Sequence, residues 1–161
     1  IEVDIPAGID DGQMIKLSGQ GEVGEKGGPR GDLYIVVNVQ KHEIFTREGY
    51  DVYIEMPIRF TQAALGDKLE VPTLDVKVSY NLPEGTQTGT LFRLREKGIP
   101  KLRSNSRGDQ YSKVIIYTTK KLNDEQKELL RKFDESCGNK VHEKQRSWKS
   151  KIDNFFKGIK K

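Results

Sequence analysis

The sequence has few of the side chains that usually carry catalysis or hold metals. Its 161 residues include one cysteine, Cys137, and two histidines, His42 and His142, which lie far apart along the chain. A single cysteine excludes an internal disulfide and a cysteine-rich zinc site. Neither histidine has a nucleophile and an orienting acid near it in a recognisable motif. These shortages predict a protein that is not an enzyme and that holds no metal or other cofactor.

Long hydrophobic runs are also missing. No segment approaches the ~20 apolar residues of a membrane-spanning helix, and hydrophobic residues make up 34% of the chain against 32% charged residues. This balance favours thin sheets with small separate cores over one large core. The chain begins "IEVDIPAG", without an initiating Met or a signal peptide, so we expect part of a longer protein. The single cysteine favours a reducing, cytoplasmic location.

Positive charge is concentrated at the C-terminal end. Residues 139–161 carry eight Lys or Arg and two Asp or Glu, whereas the rest of the chain carries 20 basic and 22 acidic residues. Large apolar residues recur through this tail at the spacing of one helix face; they are Trp148, Ile152, Phe155, Phe156 and Ile159. Such a face needs a partner surface. The tail sequence alone does not decide whether that partner is a second copy of the chain, a membrane interface or another protein. Non-specific binding of nucleic acid is the alternative that the charge suggests.

The tripeptide Arg-Gly-Asp occurs twice, at residues 30–32 and 107–109, 77 positions apart. At the same offset, without a gap, "IPAGIDDGQMIKLSGQG" aligns with "LPEGTQTGTLFRLREKG". The shared residues are mostly Gly and Pro at turns, with apolar residues between them. We therefore predict a duplicated domain in which both tripeptides form the turn that enters a strand. A cell-adhesion role for the tripeptide is the alternative interpretation.

Each copy predicts three strands separated by a turn and a glycine-rich loop. In the first copy these are "IEVDI", in which Ile1, Val3 and Ile5 alternate with acidic residues, then "MIKL" and "LYIVVNV". The second copy has "VKVSYNL", "LFRL" and "YSKVIIY", and "YDVYIEMPI" and "KLEVPTL" lie between the copies. Thr61 suits the N-cap of a short helix and Asn123 that of a longer one. The predicted fold is mainly β with C-terminal helices.

The two copies differ on one face of their last strand. Leu33 and Ile35 of the first copy align with Gln110 and Ser112 of the second, whereas Val37 aligns with another valine. An apolar face of this kind is either covered by further structure or exposed as a binding surface. Both possibilities stay open at the level of the residues.

Several ordered motifs resemble the DnaJ family of J-domain co-chaperones. They are "IPAGIDDGQMIKLSGQGE", "GDLYIVV", "HEIFTREG", "QAALGDKLEVPTLD", "LPEGTQTGTLFRLREKGIP" and "RGDQY". The resemblance covers nearly the whole chain and is closest to a bacterial-type family member, although Glu96 stands where the family usually has Gly. It implies two tandem small β-sandwich-like domains and a dimerisation helix: residues 1–43 as the C-terminal part of domain I, 44–136 as domain II and 137–161 as the dimerisation tail. Zinc is expected only in Cys repeats that precede this region in the family.

The resemblance also implies a function and the residues that perform it. Family members bind unfolded polypeptides as an added strand on domain I, dimerise, and pass their clients to a DnaK-type chaperone. The pocket positions correspond to Ile1 and Ile35, with Val3, Leu33 and Val37 as neighbours. The implied dimerisation residues are those of the apolar tail face: Trp148, Ile152, Phe155, Phe156 and Ile159. Neither a membrane nor a specific nucleic acid is an implied partner.

Overall fold

The computed structural model describes residues 2–138 and 142–159, and the chain forms two compact units, Ile1–Thr118 and Thr119–Lys161. The strands of the described part are β1 Met14–Leu17, β2 Leu33–Val36, β3 Thr46–Glu48, β4 Asp51–Arg59, β5 Asp67–Pro72, β6 Lys77–Leu82, β7 Leu91–Leu94 and β8 Gln110–Tyr117. The helices are α1 Phe60–Leu65, α2 Asp124–Cys137 and α3 Glu143–Ile159, and a 3₁₀ turn spans Glu25–Gly27. The mainly β fold with a short helix and C-terminal helices is confirmed.

Most of the first unit is built from two small sheets. One has the order β3-β4-β8-β7, in which β4 and β8 run parallel over eight residue pairs and the other neighbours are antiparallel. The other sheet is the β5–β6 hairpin. Alternate side chains of both sheets and one residue of α1, Ala63, form one apolar core. Its buried members are Ile54, Ile58, Ala63, Leu69, Val71, Leu82, Phe92 and Val114. The rings of Tyr80 and Phe92 stack within it, with centroids 3.9 Å apart.

The third sheet of the first unit is the β1–β2 hairpin. Its antiparallel register places Ile15 opposite Ile35 and Leu17 opposite Leu33. The hairpin belongs to the first copy of the repeat, and β7 with β8 is its counterpart in the second copy. The duplication predicted from sequence therefore appears as two hairpins of the same kind.

The two Arg-Gly-Asp tripeptides lie at the same place in these hairpins. In the first copy, Lys16 Nζ lies 2.7 Å from the carboxylate of Asp32. In the second copy, Arg93 Nε donates to the carboxylate of Asp109 at 2.8 Å, and both members of this pair are displaced by 77 positions from the first. The aspartate of each tripeptide thus forms an ion pair with a basic residue on the first strand of its own hairpin, β1 or β7.

The glycines of the repeat hold the loop beside each tripeptide in the same way. Gly21 N–H donates to Gly31 O and Gly98 N–H donates to Gly108 O, both at 2.8 Å. A Cβ atom at Gly98 would lie 2.5 Å from the carbonyl oxygen of Tyr50, so no larger residue fits there without movement of the backbone. The close approach explains why glycine occupies this position in both copies.

The face on which the copies differ is buried in the second copy. Gln110 and Ser112 are both fully buried, and the Gln110 side-chain amide donates to Pro72 O at 2.8 Å and to Ser112 Oγ at 3.3 Å. The polar residues therefore join β8 to the covering β5–β6 hairpin, and they do not mark an exposed face. The corresponding Leu33 and Ile35 are half-buried.

The strand predicted at residues 1–5 is not formed: residues 2–6 have no strand structure, and Ile1 lies outside the described residues. At the offset of 77, this segment corresponds to β6, which is held by β5 through six residue pairs. No strand of the described residues pairs with residues 2–6. A strand without a neighbouring strand has no ladder to stabilise it, so the alternating pattern alone is insufficient here.

The predicted helix caps were right at one of two positions. Asn123 is the N-cap of α2: its side chain accepts from Gln126 N–H at 2.8 Å, and the Gln126 side chain accepts from Asn123 N–H at 2.8 Å. This is a capping box. The prediction for Thr61 was wrong, because the N-cap of α1 is Arg59, two residues earlier, and Gln62 accepts from Arg59 N–H at 3.0 Å.

Candidate peptide-binding site

One face of the β1–β2 hairpin carries the predicted site residues Leu33 and Ile35. Both are half-buried, and the cross-strand neighbours Leu17 and Ile15 complete a band of four aliphatic side chains. This arrangement follows from the two-residue period of a strand, which places Leu33 and Ile35 on the same face. The band is the main apolar surface of the first copy on this side.

The other three predicted residues lie outside this band. Val37 follows β2 directly, is half-buried, and donates its N–H to Gln13 O at 2.8 Å. Val3 is half-buried in the segment before β1. Ile1 lies outside the described residues. The assignment of all three to a peptide site stays a prediction.

The opposite face of the hairpin is also apolar, and sequence reasoning did not assign it a role. Met14 is 66% exposed, Tyr34 56% and Val36 64%, and Met14 lies opposite Val36 in the register. The signal was present, because "LYIVVNV" is a nearly continuous apolar run, which is typical of a strand covered on both faces. In the described residues this hairpin therefore presents large apolar side chains on both faces.

An open cleft of about 1100 Å³ lies where the two copies of the repeat meet. Ile5, Ile9, Met14 and Ile15 line it from the first copy, and Leu102 lines it from the second. Its polar lining includes Asp4, Gln13 and Arg103. The cleft is mostly apolar and joins the hairpin to the loop before β8, so a bound chain could contact both copies.

Arg47 of β3 fixes the first copy against the second. Its guanidinium donates to Ile9 O at 2.7 Å, to Gly8 O at 3.0 Å and to Gly49 O at 2.7 Å. A Cβ atom at Gly8 would lie 1.9 Å from Pro100 O, so the turn beside Arg47 packs directly on the second copy. The turn that lines the cleft at Ile9 is therefore held by the hydrogen bonds of one arginine.

Charge at the end of the hairpin is paired. The ammonium of Lys16 lowers the pKa of the Asp32 carboxyl, with a further contribution from the Gly19 N–H, which donates to it at 3.1 Å. Because the ion pair lies beside Leu17 and Leu33 at the end of the strands, the band itself stays uncharged. Its chemistry favours apolar ligands.

The second compact unit carries two exposed apolar stripes. On α3, Trp148 is 66% exposed, Phe155 64%, Phe156 59% and Ile159 63%, whereas Ile152 is half-buried. The rings of Phe155 and Phe156 meet edge to face, with centroids 5.4 Å apart. On α2, Leu129 and Leu130 are 59% and 44% exposed. Each stripe groups neighbouring exposed apolar side chains, a feature that is typical of interaction surfaces. The assignment of the α3 residues to dimerisation stays a prediction.

Comparison with protein families matches two regions that together cover all of the chain except residues 119–124 and 159–161. A model of the DnaJ C terminal domain matches residues 1–118, and a model of the chaperone protein DnaJ C-terminal region matches residues 125–158. The chain belongs to the DnaJ C-terminal domain family. The two matched regions correspond to the two compact units.

Curated relatives of this DnaJ-family chain support the same assignment. The chain is 71% identical over 157 residues to the chaperone protein DnaJ of Clostridioides difficile, 60% identical over 157 residues to that of Ruminiclostridium cellulolyticum, and 54% identical over 158 residues to that of Halalkalibacterium halodurans. Each match covers 98% of this chain but only 41–43% of the relative. The chain therefore spans about two fifths of the length of these relatives.

Two further findings concern sites that the DnaJ-family chain could have carried. Among residues 2–138 and 142–159, no group of three or more His, Cys, Asp or Glu side chains is arranged to hold a metal ion. Within the same described part, no helix is long and apolar enough to cross a membrane.

Proposed function

We propose that the chain is the polypeptide-binding and dimerisation part of a DnaJ-type chaperone, acts in the cytoplasm without catalysis or a cofactor of its own, and passes unfolded clients to a DnaK-type chaperone. The observation that supports this most is the β1–β2 hairpin, which is apolar on both faces and has, among the described residues, no further strand on either outer edge. A client chain in extended conformation could add to such an edge. Backbone hydrogen bonds would then accept any sequence, and the apolar band would select large aliphatic or aromatic side chains.

Ile35 is the residue on which this proposal is tested most directly. It lies in the middle of the band opposite Ile15, so its replacement by Ser removes roughly 1–3 kcal/mol of apolar contact with a bound client. We expect Ile35→Ser to weaken binding of a fluorescent Leu-rich nonapeptide about five- to a hundredfold. Val36→Ser is the matched control on the opposite face of the same strand, and we expect a smaller loss of affinity from it.

The melting temperature separates binding from packing in this experiment. Fluorescence anisotropy gives the affinity of each variant, and thermal unfolding followed by near-UV circular dichroism gives its stability. A large fall in melting temperature with unchanged affinity would assign Ile35 to the core. A larger loss of affinity in Val36→Ser than in Ile35→Ser would place the site on the other face of the hairpin.

The two alternatives from sequence have less support. An adhesive tripeptide needs a free aspartate, whereas Asp32 and Asp109 are bound to Lys16 and Arg93 within their own hairpins. A nucleic-acid function is suggested by the basic tail alone. Its test is the steep fall in nucleic-acid affinity with added salt that phosphate contacts produce, with salmon-sperm DNA as the probe and a flat or absent response as the expected result.

A further inference from the structure

The outward face of the four-stranded sheet carries a groove that is separate from the β1–β2 hairpin. It has a volume of about 500 Å³ and crosses β3, β4, β8 and β7. Its apolar lining includes Ile44, Tyr53 and Leu91, and its charged lining comprises Glu43, Glu48, Glu55 and Lys113. We call this surface the domain II groove.

The floor of the domain II groove is apolar and aromatic. Ile44 is 52% exposed and Leu91 is 51% exposed. The Tyr53 ring stacks on Tyr111 of the neighbouring strand, with centroids 5.1 Å apart and ring planes at 15°. Two adjacent strands hold the stacked rings in place, so this aromatic surface of the groove is already formed. A ligand that binds there does not have to order the tyrosine side chains.

The rim of the domain II groove is negatively charged. Three carboxylates face one ammonium, that of Lys113, which lies 3.8 Å from Glu55. Burial raises the pKa of the Tyr53 hydroxyl, and the negative charges of Glu48 and Asp51 raise it further. The groove therefore has a negative potential at its aromatic wall. A cationic side chain gains both from this potential and from the π face of tyrosine.

We propose that the domain II groove binds an extended client segment in which Lys or Arg lies next to large apolar residues. The apolar floor and the excess of carboxylates fit that chemistry together, whereas a nucleic acid or an anionic lipid surface would be repelled by the rim. The groove thus supplies a second, charge-selective subsite in addition to the uncharged band of the hairpin. This inference rests on the proposed function only in taking the ligand to be an unfolded polypeptide.

The test compares two fluorescent decapeptides with the same Leu- and Phe-rich core, one flanked by two Arg and the other by two Gln. With the full chain, we expect the Arg peptide to bind more tightly than the Gln peptide, and its advantage to decrease with added salt because exposed charges are screened. The double variant Glu48→Gln and Glu55→Gln should weaken the Arg peptide by about three- to tenfold, the range expected for two exposed ion pairs. Binding of the Gln peptide should be unchanged.

Two matched variants make the result specific. Glu84→Gln with Glu125→Gln alters the net charge equally but lies outside the groove lining, and it should leave both affinities unchanged. Leu91→Ser should weaken both peptides, because it removes part of the floor. Equal affinities of the two peptides for the wild-type chain, or equal losses in both double variants, would overturn the groove proposal. If the groove proposal is overturned in this way but Ile35→Ser still weakens binding of the Gln peptide, the proposed function stands. If neither peptide binds the wild-type chain, both the groove proposal and the proposed function are wrong.

Discussion

The carboxylate of Asp109 accepts a hydrogen bond from the backbone N–H of Glu96 at 2.8 Å, and Asp32 makes the same bond to Gly19 at 3.1 Å in the first copy. Glycine and glutamate thus occupy one position of the duplicated loop. Both have left-handed backbone conformation, with φ of +69° at Gly19 and +56° at Glu96. The second copy keeps the geometry of the loop with a residue for which that conformation is unfavourable.

Replacing Glu96 with glycine should therefore stabilise the protein. A left-handed conformation costs a residue with a side chain about 1–2 kcal/mol, and the greater freedom of glycine in the unfolded chain offsets about 0.5–1 kcal/mol of this gain. We expect Glu96→Gly to raise the free energy of unfolding by roughly 0.5–1 kcal/mol. Urea denaturation measures it, and Glu96→Ala, which keeps a Cβ atom, should show no such gain. Equal effects of the two variants would show that the glutamate side chain, rather than the backbone, is responsible.

Acid should destabilise the first unit through its two tripeptide aspartates. The Glu96 N–H and the Arg93 guanidinium lower the pKa of Asp109, and Lys16 and the Gly19 N–H lower that of Asp32. When the folded-state pKa of a carboxyl lies below its unfolded value of about 3.9, its contribution to stability is complete above that value and is lost as the pH falls through the folded-state pKa. We expect a melting temperature that is steady from pH 7 to about 5 and decreases below about 4.

Variants identify the groups responsible for this pH dependence. Asp109→Asn should lower the melting temperature at pH 7 and flatten its decrease in acid, and Arg93→Met should flatten it less because the backbone donor remains. All six tyrosines lie in the first unit and the single tryptophan lies in the second, so near-UV signals from tyrosine and tryptophan follow the two units separately. An unaltered acid slope in Asp109→Asn would contradict the assignment.

Removal of the Arg47 side chain should loosen the first copy without unfolding the second. The arginine supplies the hydrogen bonds to the carbonyls of Gly8 and Ile9, and bonds to a charged donor contribute about 1.5–3 kcal/mol each. We expect Arg47→Ala to speed hydrogen exchange in β1 and β2 at least tenfold, with little change in β4 and β8. Arg47→Lys keeps the charge but cannot form the forked contact, so its exchange should be intermediate. Exchange that rises equally in all four strands would show global destabilisation instead.

The strands β4 to β8 could be predicted from sequence because each finds its neighbours within the chain. Alternation and turn residues located β4 to β8 within a few residues, and the offset of 77 identified the tripeptide turns as equivalent. The same alternation failed at residues 2–5, which pair with no strand of the described residues. A strand forms only when a neighbouring strand pairs with it, and the sequence pattern of one segment does not show whether such a neighbour is present.

The candidate site was predictable in part for a related reason. Ile35 was assigned to the site by the family resemblance, and comparison of the copies singled out the same position. It lies in an apolar band, and its role in binding stays a prediction. The polar residues at the same positions of the second copy were harder to interpret. Gln110 and Ser112 are buried, and the Gln110 side chain donates a hydrogen bond to Pro72 O that no local sequence pattern reveals. The exposure of Met14 and Tyr34 on the other face also depends on which strands cover the hairpin.

The apolar stripe of α3 should bring two copies of the chain together. Four of its side chains, Trp148, Phe155, Phe156 and Ile159, are each more than half exposed. Two copies would bury eight, at about 1.5–3 kcal/mol for each fully buried side chain. Association costs about 4–15 kcal/mol before any net affinity appears. Partial burial of eight large side chains can exceed that cost, so we expect a homodimer at micromolar concentration.

Light scattering coupled to gel filtration at tens of micromolar tests the dimer against a monomer mass of 18.3 kDa. The double variant Phe155→Ala and Phe156→Ala should run as a monomer, because its edge-to-face ring pair is lost from the stripe. Lys149→Ala with Lys151→Ala, a control on the same helix, should remain dimeric and even associate more tightly, since like charges repel across the two-fold axis. For the same reason the wild-type dimer should tighten with added salt, opposite to the trend for a nucleic-acid ligand. A wild-type chain that elutes as a monomer under these conditions would show that the stripe on α3 does not bind a second copy.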